Sequence, residues 1–355
     1  MAAIENPLHP SSCLQEEENI ENNQSIDDVH LQQDFSEDEY SQYSFFPIKH
    51  SILESFYQRQ KAVVWTPQEL DLSRDRSDWD ALDEGTRKFI KFILFFFAQA
   101  DGIVNENLIT NFKQQTSFFK EATFFYSAQE YIETIHNETY SILIETFIRD
   151  REEKMRGYNA IKHYPSIKKI ADWMFEWMDS GRSLTERVVA FACVEGIFFS
   201  SAFAAIYWIK RRNILQGLCK ANEWIARDEA LHTEFAVALY HELTNEASPR
   251  FSRLPEDVVH SIIKSAVDVS ENFVREALQV DLIGMNADDM VNYVKCTADV
   301  LSMSFGYDPI YKVENKFSWM AVISLPNKSN FFESKVSEYA KQSEADFTFD
   351  LDADF

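Results

Sequence analysis

The stretch Asn222–Phe235, NEWIARDEALHTEF, decides the fold. Trp224, Leu231 and Phe235 recur at i, i+7 and i+11 with no Gly or Pro between them, so the stretch reads as helix. Glu229 and His232 are three residues apart on it. At about 100° per residue they lie within roughly 60° of each other, one turn apart on one face. A carboxylate and an imidazole so placed can bind one metal ion together. A second copy lies upstream, Glu133-Thr134-Ile135-His136.

Two copies alone decide little. Eight His and 33 Glu among 355 residues give about 0.7 Glu-x-x-His matches by chance. Their company matters more. Asp101 precedes Glu133 by 32 residues and Glu195 precedes Glu229 by 34, each in an apolar helix. An unpaired carboxylate is costly to bury, and no Lys or Arg lies within eight residues of Asp101 or seven of Glu195. Taken singly, each acid has a plain explanation: a helix-end acid at Asp101, a buried hydrogen bond at Glu195, surface acids at Glu133 and Glu229. Taken together, four carboxylates and two imidazoles from four helices form the donor set of a di-iron or di-manganese carboxylate bundle. Oxygen-rich ligands with some nitrogen suit Fe or Mn, and the set contains no Cys to suggest structural zinc.

The rest of the chain fits a helical protein. Thirty Phe against 8 Gly and 9 Pro, with 45% hydrophobic residues, predict an aromatic-rich helical core with few turns. The expected long helices are Thr86–Phe112, Ser117–Arg149, Ile167–Ser180, Ser183–Arg212, Leu218–Leu243, Pro249–Val280 and Ala287–Phe305, after a short one at Ser51–Gln60. No segment alternates long enough for a substantial sheet. Before Pro67, Thr66 offers an N-cap with Glu69 at the third helical position, a capping box.

A net charge of −24 argues against nucleic acid as a main partner. Four scattered cysteines without a framework read as free thiols in a reducing compartment, and MAAIENPLHPSS shows no signal peptide, so a cytoplasmic protein is expected. Val188–Ile209 is long and apolar enough to cross a bilayer, but Glu195 sits inside it. A helix apolar all round also suits the centre of a soluble bundle, and no membrane span is expected. Residues 1–44 hold eleven acidic residues and no Lys or Arg, and are expected to be disordered. At the other end, Gln342–Phe355 is acidic yet carries Phe347, Phe349, Leu351 and Phe355, the pattern of a tail that docks into a partner's groove.

Tyr140 lies four residues after His136, one turn along the same face. Phe199, Phe203 and Ile225 are placed to wall it. From spacing alone it is either a redox-active phenol beside the metals or a core Tyr with a satisfied hydroxyl.

DGIVNENL (Asp101–Leu108), ETIHNETY (Glu133–Tyr140), CVEGIFF (Cys193–Phe199), ARDEALH (Ala226–His232), LIGMN (Leu282–Asn286) and the terminal LDADF resemble the small, radical-generating subunit of class I ribonucleotide reductase, of the eukaryotic or eukaryotic-virus type. The resemblance covers roughly residues 45–355. It implies an all-α, ferritin-like helical bundle over 45–320, with a di-metal carboxylate centre inside a core four-helix bundle. A tail, 321–355, would dock to the large subunit. By the same resemblance Asp101, Glu133 and His136 bind one iron, and Glu195, Glu229 and His232 the other, with Glu133 bridging. Tyr140 is the stable radical site, formed with dioxygen, and Phe199, Phe203 and Ile225 are its apolar pocket. Trp65, Asp228 and Tyr339 relay the radical to the large subunit, and the family is usually a homodimer. A stand-alone di-iron oxidase or oxygenase and a ferritin-type iron-handling protein are the other readings of such a bundle. Neither calls for the aromatic-studded tail.

Overall fold

The computed structural model describes residues 44–178, 181–245, 250–278 and 285–317. By its contacts the chain divides into Met1–Pro47 and Ile48–Phe355, and every described helix belongs to the second unit. In order these are α1 (Ser51–Ala62), α2 (Asp75–Ala81), α3 (Glu84–Asn107), α4 (Lys113–Gln115), α5 (Lys120–Phe147), α6 (Arg151–Gly157), α7 (Ala160–His163), α8 (Pro165–Met178), α9 (Leu184–Cys193), α10 (Phe199–Arg211), α11 (Gln216–Leu243), α12 (Glu256–Ala277) and α13 (Ala287–Ser304). No strand occurs among the described residues.

Four helical rods form the centre: α3, α5, the α9–α10 rod and α11. α1 lies across α5 and α11, while α12 and α13 pack against each other and against the α9–α10 rod. Phe95, Phe96, Phe97, Phe125, Phe147, Phe198 and Phe199 are buried side chains of this core. The two most apolar helical stretches, Glu84–Gln115 and Leu184–Arg211, have mean hydropathies of 1.2 and 1.9 and pack 72% and 94% of their most apolar windows inside the fold. Their apolarity is used in the core.

Local chemistry sets the helix starts. The Asp83 carboxylate accepts the Thr86 N–H at 2.8 Å and caps α3. Ser183 and Glu186 form a capping box on α9, the Ser183 N–H donating to Glu186 Oε2 at 2.9 Å. The box at Thr66 is present too, with Thr66 N–H donating to Glu69 Oε1 at 2.8 Å, but it opens only the single 3₁₀ turn Pro67–Glu69. α11 starts differently. Leu215 precedes it with φ 52° and has no side chain able to cap. Asp75 of α2 does this from afar, accepting the N–H groups of Gly217 at 3.0 Å and Leu218 at 2.7 Å. A Cβ on Gly217 would come within 2.5 Å of the Asp71 carbonyl oxygen, so only glycine fits under α2.

Two helices expected to be continuous contain π turns, Leu108–Phe112 and Val194–Phe198. The second carries Glu195. A π turn adds one residue to the turn and rotates the residues after it, and it has no periodicity signature of its own. Of the segment expected to be disordered, 1–44, all but Ser44 lies outside the described residues, as do Tyr339 and the expected tail, 321–355.

Candidate metal centre

Each of the four central rods places its acid inward. Asp101 of α3, Glu133 of α5, Glu195 of the π turn and Glu229 of α11 are all no more than 2% exposed, as are His136 and His232. Two groups of donors converge: Asp101, Glu133 and His136, and Glu133, Glu195, Glu229 and His232, with donor atoms within 4.8 Å of one another in each. Glu133 belongs to both. Its Oε2 lies 3.3 Å from His136 Nδ1 and its Oε1 lies 2.9 Å from His232 Nδ1. Glu229 also spans the two rings, Oε1 at 3.0 Å from His136 Nδ1 and Oε2 at 3.0 Å from His232 Nδ1.

These edges suit metal coordination. Donors held about 2.0–2.2 Å from one cation sit ~3 Å apart. Six buried donor atoms have no hydrogen-bond partner: both Asp101 oxygens, Glu133 Oε2, His136 Nδ1, Glu195 Oε2 and Glu229 Oε1. His136 Nδ1 and Glu229 Oε1 thus approach closely without bonding to each other. Among the described residues no Lys or Arg pairs with these four carboxylates. Buried donors left without hydrogen bonds in this way fit a site for cations, and the two groups sharing Glu133 offer two places for them.

The electrostatics agree. Burial first, then the neighbouring Glu133 and Glu229 carboxylates, hold Asp101 well above the usual carboxylate range. Burial, then Glu229 and Glu133, do the same to Glu195. Burial works to raise Glu229, but His136 and His232 outweigh it and hold that carboxyl below its ordinary value. Burial works to lower both imidazoles. Asp228, Glu133 and Glu229 outweigh it at His136, and Glu133 and Glu229 push His232 up to about 9.

A second layer orients the candidate ligands. His136 turns Nε2 to Asp228 Oδ2 at 3.3 Å, and the same oxygen accepts Trp65 Nε1–H at 2.8 Å. The Trp65 and His136 rings stack with centroids 6.1 Å apart. His232 turns Nε2 to Gln60 Oε1 at 3.1 Å. In both rings Nδ1 is thereby left to face the cluster. Gln129 donates to Glu195 Oε1 at 3.0 Å. The outer oxygen of Asp228 accepts from the Arg227 guanidinium, which also reaches the Val63 carbonyl at 2.8 Å.

Tyr140 is 2% exposed and its hydroxyl has no hydrogen-bond partner. Burial, then Asp101 as the strongest of three carboxylates, raises its phenol far above the ordinary range. Its ring stacks on Phe97 with centroids 4.5 Å apart and planes 4° apart. Phe199 and Phe203 lie against the Phe97 ring, at 5.6 and 5.1 Å. Ile225 is fully buried on α11.

Sequence patterns do not single out Gln60, Gln129 and Phe97. Two of them carry a signal all the same: Gln129 precedes Glu133 by one turn, and Phe97 precedes Asp101 by one turn on a helix antiparallel to α5. Gln60 carries none, because α1 reaches His232 only through the tertiary fold.

A family model described as "Ribonucleotide reductase, small chain" matches residues 42–317. The chain is 45% identical over 315 residues to the ribonucleoside-diphosphate reductase subunit M2 of Danio rerio, covering 87% of this chain and 80% of the relative. It is 47% identical to the small subunit of Dictyostelium discoideum, covering 83% and 86% of the two chains. With the Variola virus small chain the figures are 44% identity, 89% and 97%. Among solved structures, the Saccharomyces cerevisiae ribonucleotide reductase Rnr4 homodimer superposes with a TM-score of 0.70 at 29% identity, covering 84% and 89%. Iron storage and a stand-alone oxidase give way to these likenesses. The chain belongs to the ribonucleotide reductase small-chain family, and is the small subunit of a ribonucleoside-diphosphate reductase that works with a large-subunit partner.

Proposed function

We propose that this small subunit holds two iron ions and keeps a stable radical on Tyr140 for use by the large subunit. Asp101, Glu133 and His136 would hold one ion and Glu195, Glu229 and His232 the other, with Glu133 shared. When bound, the metals and dioxygen supply the oxidising power. The same oxygen-rich donors accept manganese.

The observation that carries this reading is the position of Tyr140. Its buried hydroxyl is unpartnered, it stands one turn from a metal-facing histidine, and Phe97 covers its ring. Burial disfavours the free phenolate, so Tyr140 gives up an electron and a proton together. The hydrocarbon around Phe97, Phe199, Phe203 and Ile225 keeps water and reductants from the ring. Asp228 holds the Trp65 indole and the His136 imidazole on one oxygen, which supports a path from the buried centre outward through Trp65. Tyr339 would continue the relay, and Gln342–Phe355 would dock into the large subunit, where ribonucleotides are reduced to deoxyribonucleotides. A homodimer in the cytoplasm is the working form we propose, in line with the homodimeric yeast relative.

Replacing Tyr140 by Phe tests the reading. Metal content is expected to stay at the parent level while the organic radical signal disappears. A tyrosyl spectrum that persists in this variant contradicts it.

A further inference from the structure

A cavity of about 390 Å³ opens between the α10–α11 pair and α13 and runs inward to Glu195 and Glu229. These are two of the six candidate ligands, and the other four do not line it. We infer that it is the entry route by which divalent cations reach the metal centre; the inference rests on the di-metal reading above.

Four observations carry it. First, the floor is made of carboxyl oxygens: Glu195 Oε2 and Glu229 Oε1 are buried and lack hydrogen-bond partners. Second, the inner wall is built of small residues. Gly196 and Ala230, next in sequence to the two glutamates, are half-buried where their neighbours are sealed, so solvent reaches the helix backbone there. A Cβ on Gly196 would meet the Thr233 methyl at 3.1 Å.

Third, the hydroxyls along the way present only acceptors. Ser200 donates to the Ile197 carbonyl at 2.7 Å, Thr233 to Glu229 at 2.9 Å and Thr297 to Tyr293 at 3.2 Å. Their protons are committed to the helix, and their lone pairs remain for a cation or its water. Fourth, the size fits. At about 30 Å³ per water, the cavity holds roughly a dozen, enough for an ion with its first hydration shell.

The outer wall is a strap, residues 309–315, held to α13 by Asp299, which accepts the Tyr311 N–H at 2.6 Å and the Val313 N–H at 3.3 Å. Cys296 is half-buried in the passage, its thiol donating to the Val313 carbonyl at 3.4 Å. Lys312 lies exposed on the rim and is the one cationic side chain of the lining. A larger side chain at position 296 therefore narrows the passage without touching a ligand.

The test is the rate of metal uptake by the metal-free full chain, followed with Mn²⁺ by loss of the free-ion electron paramagnetic resonance signal. In Cys296→Trp, uptake is expected to be about tenfold slower, an added barrier of about 1.4 kcal/mol, with the final stoichiometry and helix content of the parent. Lys312→Glu is expected to speed uptake at low ionic strength and to lose that advantage in salt. As a check independent of refolding, a benzyl methanethiosulfonate label on Cys296 of the folded protein, with Cys13 changed to Ser, should slow uptake more than a methyl label. Equal uptake rates in parent, Cys296→Trp and benzyl-labelled protein overturn the route while leaving the metal centre standing. A parent chain that takes up no Mn²⁺ overturns the di-metal reading itself.

Discussion

At the scale of single residues, Asp228 ties three side chains together. One carboxylate oxygen accepts the Trp65 indole N–H, and the same oxygen faces His136 Nε2, while the other oxygen binds Arg227. Asp228→Asn keeps the shape and removes the charge. Changes in groups that orient metal ligands cost ~10–100-fold in metal affinity or activity. The expected result is a loss in that range, with helix content unchanged, measured as Mn²⁺ affinity and as turnover with the large subunit. Parent values for both would rule out a role for Asp228 in either. The six candidate ligands are legible in the sequence because Glu-x-x-His spacing and a lone acid in an apolar helix are local features. Gln60 is not, because it reaches His232 only when α1 and α11 pack, and Gln129 and Phe97 offer no more than a one-turn spacing from Glu133 and Asp101, since their partners lie on other helices.

At the scale of elements, the positioning of α11 depends on α2. The helix carrying Asp228, Glu229 and His232 begins without a capping side chain of its own, and Asp75 accepts its first free N–H groups. Asp75→Ala is expected to cost about 1–3 kcal/mol in urea unfolding, because it strands buried donors. A midpoint equal to that of the parent would show that these bonds contribute nothing. The same residue carries a pH dependence. Burial raises Asp75 above its ordinary 3.8 despite the two N–H bonds. A raised carboxyl favours folding most when protonated, so its contribution falls as pH rises through the folded-state value. Asp75→Ala should lack this component of the pH–stability profile. The short, charged α2 escapes a sequence reading because seven residues, DRSDWDA, leave too little periodicity. The π turn at Val194–Phe198 escapes it for another reason: apolar side chains lie on every side of that rod, so a one-residue shift leaves its hydrophobic pattern unchanged.

At the scale of the whole molecule, the helical class and the burial of the most apolar helices are set by composition, since 30 Phe with few Gly and Pro leave little choice but long packed helices. The role of the tail belongs to this scale as well. Deleting Gln342–Phe355 is expected to abolish binding to the large subunit, seen as loss of co-elution and of turnover, while sparing metal uptake and the radical proposed for Tyr140. Retained co-elution would place the docking surface elsewhere. Tyr339→Phe tests the proposed relay apart from docking: it should still bind the large subunit and fail to turn over. The proposed di-iron centre and radical are probed together by low-temperature electron paramagnetic resonance on protein reconstituted with ferrous iron and dioxygen. The expected spectrum is that of an organic radical whose hyperfine pattern collapses when the tyrosines are ring-deuterated, and which is absent from Tyr140→Phe. A metal-loaded parent without an organic radical, or a radical unaffected by ring deuteration, would refute the assignment of Tyr140.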